Sequence, residues 1–246
     1  MNPYDLTVVV ASYKTPDLLK ILIRSFKKFS TKDFKLNFLI VENSDFDLSE
    51  LHSEDCKIFY RQTSQKNSDA HAEALEFSKK YIASDYVFTC HSDTCVVSST
   101  FFEELKNCIE EGVYLAGVCE DKAADRVKAL HSSGLFVHTS LFKKISLLPI
   151  YPKIDSADLL TVHCRENGLK TRLFRNTYND SSFVDICNSP FRELGKECGM
   201  DRCLDSSGNV MFIHQGRGTP KYTKSYSNDK KFSLERWIEI CSTILE

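Results

Sequence analysis

The chain has 246 residues and a net charge of −2, with 32 Lys and Arg against 34 Asp and Glu, so it lacks the basic footprint of a nucleic-acid-binding protein. Hydrophobic residues make up 42% and charged residues 27%, the balance of a globular chain long enough to bury a full α/β core. No apolar run reaches the ~20 residues of a membrane-spanning helix, and the first residues, with Asp5 among them, do not read as a secretory signal, so the cytoplasm is the expected compartment.

Strand and helix signals alternate through the first half. Leu6 to Ala11 is a β-branched apolar run. Thr15-Pro16 reads as a helix start, with a capping hydroxyl and proline at the first helical position. Leu18, Leu19, Leu22, Ile23 and Phe26 then follow helical spacing. Leu36 to Val41 predicts a second buried strand and Lys57 to Arg61 a third; Ala70 to Ile82 predicts a helix. Tyr86 to Cys90 is the next buried strand and runs directly into His91-Ser92-Asp93-Thr94. Thr100 to Glu103 is a capping-box pattern that opens a helix ending near Gly112, and Val113 to Val118 returns as a strand. Such alternation predicts a mostly parallel sheet flanked by helices, an α/β fold.

The second half is less regular. Strands are expected at Ser133 to Val137, Lys170 to Phe174 and Val210 to Ile213, and helices at Ser140 to Ile145, Ala157 to Glu166 and Leu234 to Leu245. Between Asn176 and Gly208 the sequence reads mostly as loop.

Three strands of the first half end in polar residues: Ser12-Tyr13-Lys14, Glu42-Asn43-Ser44 and His91-Ser92-Asp93. Parallel strands place all three on one edge of the sheet, where open α/β sheets bind ligands. Each group alone also fits ordinary turn chemistry; their agreement on one edge favours a site. An acidic residue beside a histidine and two hydroxyls suggests metal-assisted handling of phosphate. Neither Gly-x-Gly-x-x-Gly nor the P-loop pattern occurs, which counts against dinucleotide-dependent dehydrogenases and P-loop enzymes.

Ten cysteines are present without one Cys-x-x-Cys pair, and without a signal peptide a disulfide framework is not expected. Most read as buried thiols acting as small hydrophobes. A zinc site from Cys198, Cys203 and a histidine is the weaker alternative.

The ordered set of motifs resembles the inverting glycosyltransferases of family 2, which have the GT-A fold. Leu6-Thr-Val-Val-Val-Ala-Ser-Tyr13 resembles the family's first strand and nucleotide loop. Phe38-Leu-Ile-Val-Glu-Asn-Ser-Asp45 resembles its second, His71-Ala-Glu-Ala-Leu-Glu76 resembles a His-Gly-x-Ala-Leu-Asp segment, and Tyr86 to Thr94 resembles the strand ending in Asp-x-Asp. One departure stands out: the first acid of Asp-x-Asp is His91 here. Val210-Met-Phe-Ile-His-Gln-Gly-Arg-Gly-Thr219 resembles a late strand followed by a histidine and a glycine-rich loop.

The resemblance implies a single GT-A domain over 1–246. Residues 1–97 would be the nucleotide-sugar-binding half, 98–220 the acceptor-binding half and 221–246 a C-terminal helical extension. It implies donor binding by Ala11, Ser12, Tyr13, Glu42, Asn43, Ser44, His71, His91, Ser92 and Arg217. Asp93 and His214 would hold Mn²⁺ or Mg²⁺, with His91 contacting the ribose or the metal. The base would be Asp155 or Asp158, although both also fit helix-start chemistry, with Asp155 or Ser156 as the cap. The implied activity is transfer of a sugar, with inversion, from a nucleotide-sugar donor to a hydroxyl of a glycan or lipid-linked glycan, in a bacterial surface-polysaccharide pathway. Lys221, Tyr222, Lys224, Tyr226, Lys230, Lys231 and Trp237 would allow peripheral contact with the inner face of the cytoplasmic membrane, against the alternative of a helix packed on the domain. A nucleotidyltransferase and a degenerate, non-catalytic sugar-nucleotide-binding protein are the other readings.

Overall fold

The computed structural model describes residues 2–118, 125–194, 200–216 and 234–246. These residues form two compact units that interleave along the chain. One comprises Met1–Tyr13, Lys32–His91 and Leu105–Leu173, and the other Lys14–Thr31, Ser92–Glu104 and Phe174–Glu246.

The first unit is built on a seven-stranded sheet: β1 (Tyr4–Ser12), β2 (Phe34–Glu42), β3 (Cys56–Tyr60), β4 (Tyr86–His91), β6 (Leu115–Val118), β7 (His131–His138) and β8 (Thr171–Leu173). Their spatial order is β3-β2-β1-β4-β7-β6-β8. The strands β3, β2, β1 and β4 are mutually parallel, β7 runs antiparallel to both neighbours, and β6 pairs with β8 in parallel. Continuous apolar runs suit this arrangement because the strands are buried on both faces; Leu6, Val8, Val9 and Val10 are wholly buried. Helices α2 (Asn67–Ser78), α4 (Thr139–Lys144) and α5 (Asp158–Glu166) cover the sheet through a core that includes Val9, Val41, Leu75, Leu135, Phe142 and Leu160.

The second unit holds a four-stranded antiparallel sheet in the order β5 (Thr94–Val96), β11 (Val210–His214), β10 (Asp201–Leu204), β9 (Arg175–Asn176). Helix α1 (Pro16–Phe29) and the C-terminal helix α6 (Leu234–Leu245) pack here around Leu18, Cys95, Ile213 and a wholly buried Trp237. Phe26 meets Phe101 and Phe102 edge-on, with ring centroids 5.5 and 6.3 Å apart, an arrangement that matches positive ring edges to negative faces. Helix α3 (Thr100–Glu110) crosses from this unit to the first.

Several local expectations are corrected. The stretch expected as loop between Asn176 and Gly208 contains β10 and a 3₁₀ turn at Ser181–Ile186. The hydroxyl of Thr15 makes no cap, although Pro16 does open α1. The helix expected from Ala70 to Ile82 starts at Asn67 and tightens into a 3₁₀ turn at Lys79–Tyr81. At α3 the capping hydroxyl is that of Ser98, which accepts from Thr100 N at 3.2 Å, not that of Thr100. At α5 the cap position is Ala157 in the left-handed region, φ 66°, rather than Asp155 or Ser156. Among the described residues no helix is long and apolar enough to cross a membrane.

Candidate functional site

Register brings the predicted strand ends together in the first unit. Ser12 lies opposite Glu42 on β2, and Ala11 opposite His91 on β4. Because β7 runs antiparallel to β4, its first residues, His131 to Ser133, fall beside the carboxyl end of β4. Ser12 O accepts from Asn43 N at 2.9 Å, which ties the β1 end to the turn after β2. Glu42 is wholly buried and accepts a hydrogen bond from Ser44 Oγ, which in turn accepts from Phe46 N at 3.1 Å. Asn43 Nδ2 donates to Ala70 O at 3.2 Å, while its buried Oδ1 has no protein donor among the described residues. Tyr13 is exposed at the same edge.

Helix α2 delivers His71 to this edge. Its Nε2 is 3.1 Å from Ser132 Oγ, and its ring stands edge-on to His91 at 4.9 Å between centroids. His91 meets His131 in the same way at 6.0 Å. Burial first, then the nearby His91 and His131, pushes the His71 pKa well below its usual value. At neutral pH the ring is therefore an uncharged donor or acceptor.

The turn before α5 fixes two carboxylates in different ways. Asp155 N donates to Asp158 Oδ2 at 2.7 Å, so the Asp158 carboxylate is engaged in shaping the turn. Asp155 Oδ1 accepts from Ser156 N at 2.7 Å, and its Oδ2 pairs with Arg126 Nη1. Burial pushes the Asp155 pKa up, but the Ser156 N–H, the Arg126 guanidinium and the nearby His131 outweigh it and hold the carboxyl below its usual value. The buried Ser156 Oγ has no hydrogen-bond partner among the described residues. Sequence reasoning passed over Arg126, which lies in an irregular stretch with no motif around it.

The second unit holds the carboxylate–imidazole pair. Strand β5 pairs with β11 so that Thr94 faces His214, and Gln215 N donates to Asp93 O at 3.1 Å. Those bonds hold the residues on either side of the pair in register. His214 Nε2 lies 3.4 Å from Asp93 Oδ1, and His214 Nδ1 lies 3.7 Å from Asp201 Oδ2. Asp93, His214 and Ser92, which precedes Asp93, are all buried.

A carboxylate oxygen and an imidazole nitrogen 3.4 Å apart make a mixed donor pair that suits Mn²⁺, with the imidazole distinguishing it from an all-oxygen site. The eight described cysteines are buried free thiols. Burial raises Cys164 to about 11 and Cys203 well above its usual value, the behaviour of packing residues rather than thiolate ligands. Arg217, Cys198 and the basic and aromatic residues from Lys221 to Lys231 lie outside the described residues.

No known family profile matches the chain, and no curated protein matches it. Solved structures do. A mannosyltransferase from Pyrobaculum calidifontis, in complex with GDP-Man and Mn²⁺, is similar at a TM-score of 0.53 and 14% identity, over 68% of this chain and 54% of that one. Glucosyl-3-phosphoglycerate synthase from Mycobacterium tuberculosis, in complex with Mn²⁺, UDP-glucose and phosphoglyceric acid, is similar at 0.50 and 15%, over 69% of each chain. The aligned region is thus about half the length of the mannosyltransferase. At such identities the likeness speaks for architecture: the chain has the GT-A-like α/β fold, a mostly parallel sheet flanked by helices.

Proposed function

We propose that this protein is an inverting glycosyltransferase of the family 2 type. It would transfer a sugar from a nucleotide-sugar donor to a hydroxyl of a glycan or lipid-linked glycan, assisted by Mn²⁺ or Mg²⁺. The observation that carries the reading is the buried Asp93–His214 pair, a carboxylate and an imidazole 3.4 Å apart that suit a divalent ion. Structural neighbours that bind GDP-Man or UDP-glucose with Mn²⁺ support it.

In this reading Ala11, Ser12, Tyr13, Glu42, Asn43, Ser44, His71, His91 and Ser92 hold the donor, and Arg217 contacts its diphosphate. A divalent ion bound by Asp93 and His214 would supply positive charge against the departing nucleoside diphosphate. Asp155 takes the proton of the acceptor hydroxyl onto a carboxylate oxygen as the hydroxyl oxygen forms its bond to the anomeric carbon. The bond from that carbon to the diphosphate breaks in the same displacement, so no covalent enzyme intermediate is required. The acceptor is assigned to a bacterial surface-polysaccharide pathway on the strength of the sequence resemblance, and the protein to the cytoplasm.

Thermal unfolding against UDP, GDP, CMP and dTDP, each with and without Mn²⁺, tests the reading. A ligand that binds only the native state raises the melting temperature. The expected result is a shift with one nucleotide that requires the metal. No shift with any nucleotide would remove the donor site from the proposal. A second reading, a non-catalytic sugar-nucleotide-binding protein, is favoured by His91 standing where the first acid of Asp-x-Asp is usual. Metal-dependent nucleotide binding without hydrolysis or transfer of any donor would select it.

A further inference from the structure

We infer that Asp201 is a positioning residue for His214: its carboxylate holds the imidazole with the proton on Nδ1 and leaves the Nε2 lone pair for a divalent ion shared with Asp93. The inference rests on the metal-assisted reading above and adds a residue that the sequence motifs did not point to.

The backbone sets the relationship. Asp201 and His214 are direct partners in the antiparallel β10–β11 ladder, and directly opposed side chains share a face of the sheet. Asp201 therefore accompanies His214 by register. Arg202, next along the strand, turns to the opposite side, where Nε donates to Phe191 O and Nη1 to Met200 O, each at 3.1 Å. Asp201 Oδ2 is 3.7 Å from Nδ1, while Asp93 Oδ1 is 3.4 Å from Nε2, so the ring sits between two carboxylates.

A neutral imidazole has one N–H and one lone pair. Two donors bound about 2.1 Å from one ion stand about 3.0–3.5 Å apart at octahedral to tetrahedral angles, and the Nε2–Oδ1 separation of 3.4 Å falls in that interval. With both of those atoms facing an ion, the proton belongs on Nδ1, and the Asp201 carboxylate lies on that side, 3.7 Å away. A carboxylate behind a ligating histidine fixes its tautomer and ring orientation, and losing it weakens metal affinity about 10–100-fold.

The test is Mn²⁺ titration, followed by the loss of the free-ion electron paramagnetic resonance signal, on the wild-type protein and on Asp201→Ala, Asp201→Asn and Asp93→Ala. Asp93→Ala is expected to remove specific binding and Asp201→Ala to weaken it about 10–100-fold. Asp201→Asn, which keeps an oxygen on the Nδ1 side, is expected to bind more tightly than Asp201→Ala. Ring ¹⁵N resonances of His214 in the wild type loaded with diamagnetic Mg²⁺ supply a reading that needs no variant: the Nδ1–H tautomer is expected, and the Nε2–H tautomer overturns the inference. If the wild type binds Mn²⁺, Asp93→Ala does not, and Asp201→Ala binds as the wild type does, Asp201 is idle and the metal reading stands. A wild type that binds no Mn²⁺ overturns both.

Discussion

Asp158 gives a carboxylate oxygen to the backbone N–H of Asp155, 2.7 Å away, across a turn in which Ala157 adopts φ 66°. A left-handed alanine costs roughly 1–2 kcal/mol, so the turn needs this bond to hold it. Asp158→Ala leaves a buried N–H without its acceptor, and a loss of about 1–3 kcal/mol of stability is expected. Denaturant unfolding measures it. A variant as stable as the wild type, yet unable to transfer, would instead make Asp158 the base.

Asp155, in the same turn, pairs its carboxylate with Arg126. Asp155→Asn is expected to spare nucleotide binding and eliminate transfer, since an amide takes no proton at neutral pH. Transfer at a near wild-type rate would move the base elsewhere.

The depressed pKa of Asp155 also fixes a pH response. The folded value lies below the unfolded one, so its stabilising contribution is complete above the ordinary value of 3.8 and is lost as pH falls through the folded value. As base, Asp155 stays ionised through neutrality, and the transfer rate should show no limb from it between about pH 5 and 8. Arg126→Ala removes one source of the depression and should raise the acid limb. An unchanged profile in that variant would dissociate Arg126 from the base.

Much of the first unit was legible because a parallel strand announces itself twice, by a continuous apolar run and by the polar residues that end it. Ser12, Glu42 and His91 fall on one edge for that reason. The second unit was less legible. Strand β5 is three residues long and starts straight after Asp93, too short for any alternation to register. Strand β10, Asp-Arg-Cys-Leu, has a single aliphatic residue and sits between turns, so Asp201 could not be placed opposite His214. The left-handed turn at Ala157 carries none of the glycine or asparagine that advertises one. His214 was reached through resemblance, not through spacing.

Asp93 offers a separable test of metal linkage. Its carboxylate is buried against His214, so Asp93→Ala removes the anionic member of that pair. A nucleotide at 100 times its dissociation constant stabilises the native state by about 2.7 kcal/mol. In Asp93→Ala the metal-dependent part of that gain should vanish when melting is followed with and without Mn²⁺. An undiminished Mn²⁺-dependent gain would exclude Asp93 as the anchor.

Gly117 ties the sheet to the site from a distance. A Cβ at this position would meet Gly134 O at 2.5 Å and Leu135 Cα at 3.1 Å, both backbone atoms of the adjacent strand β7. Backbone in mid-sheet cannot swing aside as a flexible side chain does, so Gly117→Ala must part β6 from β7 locally, at about 1–3 kcal/mol by analogy with overpacked cores. The β6–β7 register already shifts between Gly117 and Val118, where Val118 comes opposite His131. His131 therefore hangs from the same irregularity, and its ring faces His91. Gly117→Ala should lower stability and perturb the His91 and His131 ring resonances together. Gly112→Ala serves as the control: nothing lies within 4 Å of its added Cβ, so its cost comes from the positive φ alone and those resonances should stay in place. Ring resonances that move equally in both variants would mean that general destabilisation, not the β6–β7 contact, governs where His131 sits.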